Sequence, residues 1–118
     1  MKLTFSTHVT VERKDRFDVI MRYLENDIGR PLVTQKAPQL KRAYAVADCY
    51  QTLTDKGVIL FWNERTQLIT TIYLARMNQA CAIYWKNKGT KMPQEVFNQV
   101  KRNQIIIEKE HLDEWKNV

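Results

Sequence analysis

A chain of 118 residues with 44% apolar and 27% charged side chains, three glycines and three prolines has the size and mix of one globular domain, and it needs no disulfide or metal staple to bury a core. That mix excludes long disorder and collagen-like repeats, and the longest apolar run, Val58 to Trp62, falls far short of the roughly 20 residues of a membrane span. Nineteen basic residues against 13 acidic leave a net charge of +6, the first clue to a partner.

The opening Met1 to Ser6 begins like a signal peptide but lacks its apolar core. From Lys2 to Glu12 the residues alternate, with Leu3, Phe5, Thr7, Val9 and Val11 on one side and Lys2, Thr4, Ser6, His8, Thr10 and Glu12 on the other. A period of two with β-branched residues predicts a strand. The competing assignment, a helix from about Ser6, sets Arg13 inside the apolar stripe of Val9, Phe17, Ile20, Leu24 and Ile28. The strand is therefore preferred. A helix follows from about Asp15, an N-cap residue type, with Phe17, Ile20, Met21, Leu24 and Ile28 on one face and Gly29-Arg30-Pro31 as its stop.

Residues 30–42 hold Pro31, Pro38 and four basic residues without an acid, and are expected to form a loop. Ala45 to Thr54, Val58 to Asn63 and Gln67 to Ala75 are predicted strands, joined by turns at Asp55-Lys56-Gly57 and Glu64-Arg65-Thr66. They make an antiparallel meander. A helix is expected from Asn78 to about Lys88, stopped by Gly89, and Pro93 opens another bearing Val96, Phe97 and Val100. Ile105 to Ile107 fits either a late strand or a continuation of that helix, and Leu112 and Trp115 suit a docked C-terminal turn. The expected fold is α+β in a single domain, 1–118. An antiparallel sheet of about four strands, the 45–75 meander plus an N-terminal strand, packs with an N-terminal and two C-terminal helices.

The basic excess is confined. Residues 1–27 are neutral, residues 28–94 sum to +7 and residues 95–118 to −1. No acid lies between Glu64 and Glu95, where Arg65, Arg76, Lys86, Lys88 and Lys91 alternate with Tyr73, Tyr84 and Trp85. Cations that neutralise phosphate beside rings that stack on bases suit RNA or single-stranded nucleic acid, with Arg65, Arg76, Lys86 and Lys88 as substrate-binding candidates. Gly-rich phosphate loops, a nucleophile elbow and zinc-type Cys/His spacing are absent, so neither metal nor cofactor is expected. Cys49 and Cys81 lie far apart, as suits reduced thiols in a cytoplasmic protein, and no membrane partner is expected.

Two polar groups remain. Ser6, His8, Glu12, Arg13 and Arg16 crowd the N-terminal segment, and His8 and Glu12 are neighbours whether it is strand or helix. In the third meander strand Leu68, Thr70, Ile72 and Leu74 are expected to face the core, while Thr71 and Tyr73 project together from the other side. A His followed eight residues later by Arg (His8, Arg16), an amphipathic helix and a meander ending Ile-Thr-Thr-Ile-Tyr resembles the small ribonuclease-toxin superfamily of barnase, colicin-type tRNases and RelE-like interferases. The resemblance spans about residues 4–75, and where related proteins carry an Arg four residues after the His this chain has Glu12, with Arg13 adjacent.

That resemblance implies a metal-independent endoribonuclease, toxin-like, that drives the ribose 2′-hydroxyl onto phosphorus and leaves a 2′,3′-cyclic phosphate. It implies His8 as acid or base, Glu12 as its orienting partner, Arg16 and Arg13 on the phosphate, and Thr71 and Tyr73 on phosphate or base. It also implies a neutralising or host protein partner. The rival expectation is a small basic module of phage or mobile-element type that binds nucleic acid or inhibits a host protein without turnover.

Overall fold

Val58–Asn63 shows no alternation because both of its faces are covered: every residue but Phe61 is buried, and the strand is the middle one of five. The computed structural model describes residues 3–25, 27–36 and 48–116, of which 107–116 by backbone alone. In chain order the elements are β1 (Thr4–Phe5), a π-helical turn (His8–Glu12), α1 (Lys14–Leu24), β2 (Pro31–Lys36), β3 (Cys49–Thr54), β4 (Val58–Asn63), β5 (Leu68–Leu74), α2 (Met77–Lys88) and α3 (Gln94–Lys116). The sheet order is β1-β5-β4-β3-β2. β2 to β5 are mutually antiparallel, and β1 joins parallel to β5. The fold is α+β, as expected, with one strand more and a mixed sheet.

The extra strand is β2, where a loop was expected. Val33 sits opposite Leu53 and is buried, Thr34 bonds Thr52 through their hydroxyls, and Gln35 donates to Gln51. Those cross-strand pairs outweigh the proline signal, and Pro31 does no harm as the first residue of an edge strand. The expected start of β3 at Ala45 lies outside the described residues; the strand observed begins at Cys49.

The N-terminal segment departs further. Only Thr4–Phe5 is strand, and the chain then turns helical. Arg13 N–H donates to the His8 carbonyl five residues back, closing a π turn, and Arg13 itself leaves the helical region at φ −115°, ψ 33°. This break removes the objection to a helix. A straight α-helix would bury Arg13, whereas the π turn and the kink let Val9, Ile20 and Leu24 reach one core while Arg13 stays exposed. α1 ends at Leu24, with Glu25 in the left-handed region at φ 52°, so Ile28 and Gly29 lie beyond it rather than forming its last turn.

The two faces of the sheet carry separate cores. Val9, Ile20, Leu24, Val58, Leu60, Trp62, Ile69, Ile72 and Leu74 form one, beneath the π turn and α1. Val33, Leu53, Ile59, Ala75, Ala80, Ile83 and Val100 form the other, beneath α2 and α3. Gly57 closes the β3–β4 turn at φ +76°, and a Cβ there would stand 2.9 Å from Val100 Cγ1, so only glycine lets α3 approach this turn. α3 then reaches the first layer: Tyr23 donates to Asn103 Oδ1 at 2.7 Å, and Asn103 donates to the Lys56 carbonyl. Ile105 to Ile107 continue α3, and Leu112 and Trp115 belong to the same helix rather than to a separate turn. No helix among the described residues is long and apolar enough to cross a membrane.

Candidate functional site

Two pieces of irregular backbone meet on the first face. One is the π turn, which holds His8 and Glu12. The other is a bulge in β5: Phe61 pairs with Thr71 and Trp62 with Ile69, which leaves Thr70 without a partner residue across the ladder. Between them opens a cleft of about 230 Å³ lined by His8, Val9, Arg13, Arg16, Phe17, Thr70, Thr71 and Ile72. Irregular elements suit this position because each turns polar residues out of a period that would otherwise bury or scatter them.

His8 and Glu12 form an exposed pair, with Nδ1 2.6 Å from Glu12 Oε2. An ionised carboxylate only accepts, so Nδ1 is the nitrogen that donates to Glu12, and in the neutral ring with that tautomer Nε2 carries the lone pair. Arg13 and Arg16 flank the same cleft. No carboxylate lies within ion-pair distance of either among the described residues. Partial burial, then the neighbouring Arg13 charge, pull the Arg16 pKa below the usual arginine value. Both causes state that this cation sits there at a cost in free energy, which an anion in the cleft would offset.

The expected residues divide. His8, Arg13, Arg16 and Thr71 line the cleft, and Glu12 stands behind His8. Tyr73 does not join them. Ile72 and Leu74 lie in the first core, as expected, so alternation puts Tyr73 on the opposite face, away from His8, where its ring stacks on Phe61 with centroids 6.4 Å apart. There Gln79 Nε2 donates to its hydroxyl at 3.0 Å, and burial raises its pKa against the opposing hydrogen bonds of Gln79 and Gln51. It is a member of a packed amide network and not a reactive phenol beside His8. Arg65, exposed in the β4–β5 turn, and Arg76, exposed at the start of α2, lie beyond opposite ends of β5. Lys86 and Lys88 are on α2, over the second core.

Thr70 was expected in the core and is exposed at the cleft instead, its hydroxyl donating to the Phe61 carbonyl at 3.2 Å. A signal for it existed. Ile69 and Ile72 are three residues apart, a spacing that puts both on one face of a strand only if one residue between them is bulged. Val9, Phe17 and Ile72 supply apolar walls that no polar motif marks in the sequence. Both cysteines are free, and no cluster of metal-ligating side chains occurs among the described residues. No protein-family model, curated protein or solved structure matches the chain, and the site is understood from its own geometry.

Proposed function

We propose that the cleft binds a phosphate of single-stranded RNA and that the chain is a metal-independent endoribonuclease of toxin-like design. The observation that carries this reading is the imidazole held by a carboxylate at a cleft whose two arginines lack a carboxylate partner. His8 Nε2 accepts the 2′-hydroxyl proton as the 2′-oxygen bonds to phosphorus. The P–O5′ bond breaks, its electron pair leaves with the 5′-oxygen, and that oxygen takes a proton from water. Glu12 stabilises the imidazolium that forms, and Arg13 and Arg16 hold the non-bridging oxygens as their charge grows. Thr70 supplies a hydroxyl beside the phosphate.

The test is incubation of the purified protein with mixed cellular RNA and excess chelator. Fragments ending in a 2′,3′-cyclic phosphate, lost in His8→Ala, are the expected result. The second reading, nucleic-acid binding without turnover, is favoured by one feature: with Tyr73 on the other face, the cleft lining holds no second proton-transfer group. Intact RNA with salt-sensitive binding would establish it and remove the first.

A further inference from the structure

Among the described aromatic residues that interrupt the basic middle of the chain, one is a large exposed ring. Trp62 is buried at 9% exposure and spends its indole N–H on Thr52 Oγ1, whereas Trp85 is 55% exposed. Trp85 lies in the last turn of α2, and every residue from Trp85 to Lys91 is exposed. Asn78, Ala82 and Trp85 fall on one stripe of the helix by their spacing, all exposed. Ala82, one turn before the indole, leaves room for a flat group to lie across it, and Lys86 and Lys88 flank the ring on either side. Lys91 follows Gly89, around which there is open space. No acid occurs between Glu64 and Glu95.

From this we infer that the Trp85 end of α2 is a second binding surface, a stacking platform for single-stranded nucleic acid on the face of the sheet opposite the cleft. An exposed indole face accepts any base, while Lys86, Lys88 and Lys91 neutralise the phosphates on either side. The charge argues for a polyanion over a second copy of this chain, since two such surfaces placed together would oppose like charges. The surface does not depend on cleavage at His8. It gives Lys86, Lys88 and Lys91, which do not line the cleft, a separate contact with a longer strand.

The test uses the full chain and a 2′-O-methyl RNA of about 12 nucleotides, which cannot undergo 2′-hydroxyl attack, read by anisotropy and tryptophan emission. Trp85→Ala is expected to weaken binding roughly tenfold or more, and Trp85→Phe to restore most of it. Lys86→Gln with Lys88→Gln should flatten the dependence of log affinity on log salt by about 1.4. Equal affinity for wild type and Trp85→Ala, or no binding by wild type at about 50 mM salt, overturns the proposal. So does a wild-type oligomer that Trp85→Ala converts to monomer, which would make the ring a protein contact. Circular dichroism and melting of each variant confirm that the fold is kept. Absence of cleavage with Trp85-dependent binding intact removes the cleft reading alone; cleavage that is indifferent to Trp85, with no platform binding, removes this one alone.

Discussion

The two faces of the sheet treat their polar groups in opposite ways. Under α2 the side chains satisfy one another: Asn87 donates to Gln35, Gln35 to Gln51, and the Tyr73 hydroxyl takes hydrogen bonds from Gln51 and Gln79. Gln51 is buried at 6% exposure and its carbonyl is accounted for. Beside the π turn, Arg13 and Arg16 stand at a cleft without a carboxylate, although Arg16 is partly buried. A closed network lowers the free energy of the fold, whereas a lone, partly buried cation raises it. The face under α2 is organised for stability, and the face beside the π turn keeps groups whose partner must come from outside.

The largest effect that would break this contrast is catalytic. His8→Ala is expected to lower RNA cleavage by roughly 10²- to 10⁴-fold, the range of general acid–base contributions, with the melting temperature nearly unchanged. Cyclic-phosphate ends counted on the same RNA give the measurement. If Tyr73→Phe causes a comparable loss, the division of the two faces is wrong, since that ring is packed against Phe61 and away from the cleft.

Arg16→Ala comes next. Removing a charge-assisted bond to phosphate should weaken anion binding by roughly ten- to a hundredfold, read by titration with a short RNA. Stability should hold or rise, because the variant also relieves an unneutralised, partly buried charge. A clear drop in melting temperature would instead assign Arg16 to the scaffold. Tyr73→Phe is the converse variant. It leaves the Gln51 and Gln79 amides without their hydroxyl partner and should cost about 1–2 kcal/mol in urea unfolding while cleavage stays level.

The meander was legible because its turns carry their own chemistry, Asp55-Lys56-Gly57 above all, and because the Val58–Trp62 run fits only a strand covered on both faces. The His8–Glu12 contact was legible for another reason: positions four apart stay neighbours in either competing structure. What sequence period could not supply was the backbone irregularity. The π turn and the Thr70 bulge each insert one residue into a regular repeat, and a repeat counted across either puts the side chains on one side of it on the wrong face. Ile69 and Thr70 were assigned to the wrong faces by the second of these and the N-terminal strand overextended by the first; Tyr73 keeps its expected place opposite Ile72 and Leu74, but that is not the face on which His8 lies. β2 was missed because its stability comes from pairing with β3, a contact distant in sequence.

The smallest effect tests a charge that does have a partner. Asp27 Oδ2 lies 3.3 Å from Lys56 Nζ, and its other oxygen accepts the Gly29 N–H at 3.0 Å. That backbone bond first, and then Lys56, hold its pKa below the ordinary carboxylate value. A depressed folded pKa means the contribution is present above the unfolded value of about 4 and fades as pH falls through the folded one. Asp27→Asn should therefore melt slightly below wild type at neutral pH, with the gap closing below about pH 4. Added salt should narrow it too, since the carboxylate is exposed. RNA affinity at the cleft should not change. A gap that persists unaltered in acid would show that the side chain acts through its shape and not its charge, and the distinction between partnered and partnerless charges would then rest on Arg13 and Arg16 alone.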